Sequence, residues 1–285
     1  MILTRFAPSP TGLLHIGHAF AALTAFDTAR AEQEQFLLRI EDIDQLRCKP
    51  AYEEAIYEDL AWLGLNWPRP VRRQSEHFAD YERALEKLND AGLLYPCFCT
   101  RKDLAAEIAE AGAAPHGPEG PLYPGTCRTL SREIREQRIG SGEAYALRLD
   151  MKAALTRIAP PLMFEEKGSG PNGESGMQRA APEGFGDVVL ARKDMPTSYH
   201  LAVVVDDALQ GVTLVTRGND LFAATSVQRL LQALLDLPAP IYAHHRLILD
   251  AQGKKFSKRD GAVTLKSLRE SGVTPMEIRA RLGLL

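Results

Sequence analysis

The stretch RFAPSPTGLLHIGH at residues 5–18 constrains the chain more than any other. It joins an apolar run, ILTRFA, that reads as a strand to an Ala-rich run, AFAALTAFDTAR, that reads as a helix. A Gly- and Pro-containing turn between such elements leaves backbone N–H groups open at the helix start, where a phosphate is favoured. A second strand, QFLLRIED at 35–42, and a second helix, PAYEEAIYEDLAWLGL, follow. Strand, helix and strand in that order predict parallel strands in a doubly wound, Rossmann-type α/β sheet, with ligands at the carboxyl ends of the strands. Both PSPTG and EDID fall at such ends.

A further helix, at 75–92, is expected to end at Gly92. From Tyr95 to Gly186 the composition shifts towards Gly and Pro, as in PHGPEGPLYPG and GSGPNGESG, which predicts an inserted subdomain with long loops. The sheet is expected to resume at DVVLAR and to continue through YHLAVVVDDAL and GVTLVTRGNDL. The helix FAATSVQRLLQALLDL, the segment IYAHHRLILDAQGKKFSKRDG and a short helical tail complete the chain. The expected divisions are a first catalytic half at 1–94, the insert at 95–186, a second catalytic half at 187–262 and the tail at 263–285.

With 285 residues, 45% hydrophobic and 25% charged, the chain can bury a sizeable core. Its net charge of -3 excludes a uniformly basic coat for nucleic acid but leaves room for a local basic groove. Aliphatic runs such as LAVVV are too short to cross a membrane, and the start carries no signal-peptide pattern. The expected location is the cytoplasm, with no membrane partner. Cysteines at 48, 97, 99 and 127 do not form a secreted disulfide framework and read as thiols or metal ligands.

HIGH alone reads as a solvated helix cap, and KKFSKRDG at 254–261 alone as a solvated turn. Together they describe a specific chemistry. Imidazoles and a cationic loop can surround a triphosphate and stabilise charge as the α-phosphorus is attacked and pyrophosphate leaves.

HIGH followed far downstream by KFSKR resembles the class I aminoacyl-tRNA synthetases, and RFAPSPTGLLHIGH with LLRIEDID is similar to their glutamyl branch. The likeness runs on through LYPCFCT, TRGNDL and HHRLIL. It implies ATP-dependent activation of L-glutamate to glutamyl-adenylate, with Mg2+ accompanying ATP, and transfer to a hydroxyl on tRNA. It implies amino-acid contacts at Arg5, Phe6, Ala7, Pro8, Ser9, Glu41, Tyr199 and Arg217, with Glu41 taking the ammonium. Fixed guanidiniums and a buried anion are what a substrate with two carboxylates and an ammonium requires. The resemblance implies catalytic roles for His15, His18 and Lys258, and nucleotide contacts at His15, Gly17, His18, Lys255, Ser257 and Lys258. Phe256 and Arg259 depart from the family's KMSKS pattern, but the Lys-x-Ser-Lys core stands.

Cys97, Cys99, Tyr123 and Cys127 resemble the family's zinc site, which implies one structural Zn2+ stapling a loop-rich insert. Cys48 belongs to no cluster. The short run after Gly261 resembles the glutamyl-Q tRNA(Asp) synthetases, a shortened family. That likeness implies a monomer that attaches glutamate to queuosine in the anticodon loop of tRNA(Asp). The alternatives are a minimal synthetase charging a tRNA 3′ end and an inactive paralogue that binds RNA.

Overall fold

The computed structural model describes residues 2–31, 35–100, 102–104, 116–249 and 263–284. β1 (Leu3–Phe6) passes through the opening turn into α1 (Ile16–Ala31), which returns the chain to β2 (Gln35–Ile40), and α2 (Pro50–Trp62) leads on to β3 (Arg72–Arg73). β1 pairs with β2, and β2 with β3, in parallel, as successive strand–helix–strand units require. Pro50 opens α2, where its missing N–H costs nothing. The middle of the chain comprises α3 (Phe78–Asp90), β4 (Leu94–Cys97), β5 (His116–Gly117), β6 (Gly120–Pro121), α4 (Arg132–Gly140) and β7 (Ala146–Leu149), then α5 (Met151–Thr156), β8 (Met163–Glu166), β9 (Gly176–Arg179) and β10 (Val189–Arg192). The last part holds α6 (Tyr199–Leu209), β11 (Leu214–Gly218), α7 (Thr225–Leu235), β12 (Ile241–His245), α8 (Leu265–Glu270) and α9 (Pro275–Leu282).

The strands β11, β12, β8 and β9 form a second set in that order, parallel except for β9. It abuts the first set along β1, where the Thr213 N–H donates to the Leu3 carbonyl at 3.0 Å and the Leu3 N–H to Thr213 Oγ1 at 2.9 Å. Alternation along β1 then sends neighbours to opposite faces. Thr4 turns to α1, its hydroxyl donating to the Ala25 carbonyl at 2.9 Å, while Arg5 turns to Asp207 on α6. One core joins β1 and β2 to α1, α2, α8 and α9 through Leu23, Leu38, Ile40, Leu60, Leu265 and Ile278. The other joins β11 and β12 to α3, α6 and α7 through Leu85, Leu201, Val204, Val215, Leu230 and Tyr242. Helices on both faces of a largely parallel sheet make this a Rossmann-like α/β fold.

Two expectations need correction. YHLAVVVDDAL is not a strand but α6. Ser198 caps it by accepting the Leu201 N–H, and every residue from His200 to Asp207 is buried. A helix enclosed on all sides shows an unbroken apolar run with no helical period to read, and its packing overrides the strand propensity of its valines. DVVLAR does contain a strand, β10, but that strand does not extend the parallel sheet. It pairs antiparallel with β7 in a separate sheet of order β10–β7–β4. The cause lies at Asp187, just before β10. Its carboxylate accepts from Tyr95 Oη at 2.5 Å, Arg128 Nη1 at 2.9 Å and the Met151 N–H at 3.0 Å, which ties this strand to the preceding segment.

Candidate active site

The opening turn is stitched to the carboxyl end of β2. The Glu41 N–H donates to the Pro8 carbonyl and the Lys49 N–H to the Pro10 carbonyl, both at 3.0 Å. Phe6 and Pro8 are buried, Ala7 is half-buried and Ser9 is exposed at the rim. The His15 N–H donates to His18 Nδ1 at 3.2 Å, and the Gly17 N–H donates to His15 Nδ1 at 3.1 Å. Both Nδ1 atoms therefore accept, so each neutral ring carries its proton on Nε2. The ring centroids lie 3.8 Å apart. A Cβ on Gly17 would come within 3.1 Å of the His15 ring, so glycine keeps the imidazole in place.

His15, Gly17 and His18 line a cavity of about 200 Å³ together with Gly218, His245 and Ile248. His15 also bridges to Thr264, and the Leu265 N–H donates to the Leu14 carbonyl at 2.8 Å. Ile248 and Thr264 thus bring the two flanks of segment 250–262 to the histidine turn. Lys255, Ser257 and Lys258, expected at the phosphates, lie within that segment and outside the described residues. A larger cavity of about 810 Å³, lined by Phe26, Arg30, Phe36 and Trp67, holds none of the expected site residues. Size alone does not mark the site.

Beneath the turn lies a buried charge network. Arg5 Nε donates to Asp207 Oδ1 at 3.1 Å, and its Nη1 to the Thr216 carbonyl at 3.2 Å. Arg39, fully buried on β2, donates through Nη1 to Asp207 Oδ1 at 2.8 Å and through Nη2 to Glu41 Oε1 at 3.2 Å. Asp206 receives Arg72 Nε at 2.7 Å, Gln74 Nε2 at 2.8 Å and the Tyr81 hydroxyl at 2.9 Å. Burial alone would raise the Asp207 carboxyl, but the Arg5 and Arg39 guanidiniums hold it below the usual carboxylate range. Glu41 goes the other way, raised by burial that Arg39 and Arg5 do not fully offset. An under-compensated buried carboxylate at the mouth of the network is suited to accept a cation.

Arg217, on β11, is held through all three of its nitrogens. Nε donates to His244 Nε2 at 3.0 Å, Nη1 to Gln228 Oε1 at 2.7 Å and Nη2 to Thr225 Oγ1 at 2.6 Å. Its guanidinium lies 5.1 Å from the centroid of the Tyr242 ring. His244 in turn meets Glu166 Oε2 through Nδ1 at 2.5 Å. Burial, reinforced by the Arg217 charge, holds the His244 imidazole down at about 4. A Cβ on Gly168 would lie 2.1 Å from the His244 carbonyl oxygen, so β12 and the turn after β8 meet only because that side chain is absent. Tyr199, in the first turn of α6, is half-buried, and its hydroxyl has no hydrogen-bond partner among the described residues.

The fold therefore brings Arg5 and Glu41 together, joins them to β11 through Thr216, and groups His15 with His18. The supporting residues Arg39, Asp206, Asp207, Glu166 and His244 escape the motif reading. For all but Glu166 the signal is a charged or polar residue inside an apolar run, as in LLRI, VVVDDA and IYAHH.

In the insert, the sulfurs of Cys97, Cys99 and Cys127 lie within 4.8 Å of one another. Cys99 Sγ is 3.5 Å from Cys127 Sγ, and the Tyr123 hydroxyl lies 3.4 Å from Cys97 Sγ and 3.6 Å from Cys99 Sγ. Thiolates bound at ~2.3 Å to a tetrahedral ion stand ~3.8 Å apart, so this donor set fits a metal. Without one, burial pushes the Cys99 thiol up to about 12, and it raises the Tyr123 phenol as well. For Cys97 burial is outweighed by the Tyr123 hydroxyl and Arg148, which lower its thiol. Among the described residues no helix is long and apolar enough to cross a membrane.

Residues 1–285 match the family model for class I tRNA synthetases (E and Q), catalytic domain. The chain is 50% identical to a glutamyl-Q tRNA(Asp) synthetase from Rhodobacter capsulatus, over 99% of this chain and 100% of that one. It is 39% identical to a glutamate–tRNA ligase from Aquifex aeolicus, over 100% of this chain and 57% of that one. Among solved structures, the glutamate-tRNA synthetase from Elizabethkingia anophelis superposes with a TM-score of 0.75 at 30% identity, covering 91% of this chain and 53% of that one.

Proposed function

The chain belongs to the class I tRNA synthetase family for glutamate and glutamine, and on that premise we propose that it activates L-glutamate with ATP and transfers it to queuosine in the anticodon loop of tRNA(Asp). Arg5 and Arg217 meet the substrate carboxylates, and Glu41, whose burial Arg39 and Arg5 do not fully offset, takes the ammonium. Tyr199 offers its hydroxyl to the same pocket. His15 and His18 present Nε2–H donors to the phosphates, where charge grows as pyrophosphate leaves. Lys258, with Lys255 and Ser257, receives that pyrophosphate, accompanied by Mg2+. Zn2+ is the ion best suited to Cys97, Cys99, Tyr123 and Cys127, and when bound it supplies a structural cross-link for the insert.

The observation that carries the choice of acceptor is the 50% identity with the Rhodobacter capsulatus protein, against 39% with the Aquifex aeolicus ligase. The likeness to the Aquifex aeolicus ligase favours a second reading, a minimal synthetase that charges a tRNA 3′ end. Pyrophosphate exchange with glutamate and ATP, in the absence of tRNA, tests activation. We expect exchange without tRNA; its absence refutes the adenylating role as proposed. Mapping labelled glutamate on tRNA(Asp) with and without queuosine tests the acceptor. Label on the terminal adenosine would favour the second reading.

A further inference from the structure

The aim of the Arg217 guanidinium is set at a distance. Arginine Nε can only donate, so His244 Nε2, 3.0 Å away, must accept. The neutral ring then carries its proton on Nδ1 and must give it to an acceptor. Glu166 Oε2 stands there at 2.5 Å. The other Glu166 oxygen is already fixed, receiving the His244 N–H at 2.8 Å and the Gly168 N–H at 2.7 Å. The side chains of Glu166 and His244 are both 0% exposed, so no solvent competes for these bonds. The Tyr242 ring lies nearly parallel to His244, with planes 7° apart and centroids 6.0 Å apart. The result is a one-way chain of donors and acceptors running from a carboxylate on β8, through an imidazole on β12, to a guanidinium on β11.

We propose that Glu166 is a positioning residue for the amino-acid pocket: by holding His244 in its Nδ1–H form it fixes the direction in which Arg217 meets a substrate carboxylate. The proposal rests on the reading of Arg217 as a glutamate contact. Glu166 does not touch substrate; it acts through His244. The neutral state that the chain requires is the one His244 keeps down to about 4.

Glu166→Gln preserves shape and reverses one polarity. The His244 and Gly168 N–H groups hold the amide oxygen in its place, so the amide nitrogen faces His244 Nδ1. The imidazole must then carry its proton on Nε2, directly against Arg217 Nε–H. Nitrogen-15 NMR of histidine-labelled protein should show His244 as Nδ1–H in the wild type and Nε2–H in the variant. In pyrophosphate exchange, the KM for glutamate should rise roughly 10–100-fold, as expected for losing a charge-assisted contact, with the KM for ATP unchanged. Adding His244→Gln, whose amide can present oxygen to Arg217 without help from residue 166, should bring the KM for glutamate back to within about tenfold of wild type.

A switched tautomer with unchanged glutamate KM overturns the proposal, and so does an Nε2–H form of His244 in the wild type, which is readable even if the variant fails to fold. The premise fails separately: Arg217→Ala with unchanged glutamate KM would remove Arg217 from the pocket while leaving the tautomer result intact.

Discussion

The charge network under β1 and β2 and the sulfur cluster of the insert are both tight polar assemblies, yet they solve burial in opposite ways. In the first, the guanidiniums of Arg5, Arg39 and Arg72 face the carboxylates of Glu41, Asp206 and Asp207, so opposite charges meet within the chain. In the second, Cys97, Cys99, Cys127 and Tyr123 converge, and Arg148 acts on them as a cation, lying over the Tyr123 ring 3.8 Å from its centroid and, with the Tyr123 hydroxyl, lowering the Cys97 thiol. One assembly pairs its charges within the chain except at Glu41, where burial outweighs the guanidiniums, and the other is a set of donors. A catalytic pocket needs pre-set charge before substrate arrives, which suits the first. A small loop-rich insert has little core of its own, essentially Tyr95, Cys97, Phe98 and Cys127, and gains most from an external cross-link.

The sharpest way to break this contrast is to remove one member of the paired set. Asp207→Ala takes from Arg5 its carboxylate and from Arg39 one of three, and should cost about 3–5 kcal/mol in urea unfolding, because a buried charge is left without its partner. A loss below about 1 kcal/mol would mean that water or Asp206 compensates, and that the network is less closed than its geometry.

The next effect is in pH. Burial and Arg217 hold the His244 imidazole at about 4 instead of 6.5. Below 6.5 the unfolded chain takes up a proton that the folded one refuses, so stability is full above 6.5 and falls as the pH drops towards 4. The loss approaches about 3 kcal/mol, and His244→Gln should flatten that window in urea midpoints measured across it. An unchanged slope in the variant would move the titration to another group.

The smallest effect should be confined to the insert. Removing metal with a chelator should raise hydrogen exchange around residues 94–99 and 123–128 and leave β1 and β2 protected. For an ion held at 100 times its dissociation constant, the stability lost is about 2.7 kcal/mol. Elemental analysis that finds no zinc, or exchange that rises equally in both regions, would erase the distinction.

Much of the first half was legible because its signals are local. The turn at 5–18 names the strand before it and the helix after it, and Gly92, at φ 70°, follows α3 where the composition predicts a stop. What was hidden depends on partners distant in sequence. VVVDDA looks like a strand until Ser198 caps it and the surrounding core encloses it. Asp206 and Asp207 become intelligible only once Arg5, Arg39 and Arg72, drawn from three separate strands, converge on that helix. The cysteines were legible as a cluster only through the resemblance of CFC and YPGTC to the family's zinc site, since their spacing alone leaves a pair of thiols near a third. Glu166 gave no such sign, since neither of the two adjacent glutamates in MFEEKG has a visible counterpart until β12 lies beside β8.

Gly168 carries no functional group, yet the contact that its missing side chain permits lets the backbone after β8 rest against His244. Adding even a methyl group there would wedge apart two strands whose separation sets the reach of Glu166. A saturation screen for lost activity should therefore score this silent position alongside the charged residues it serves. Tolerance to substitution in this pocket follows the spacing of backbones as closely as it follows chemistry.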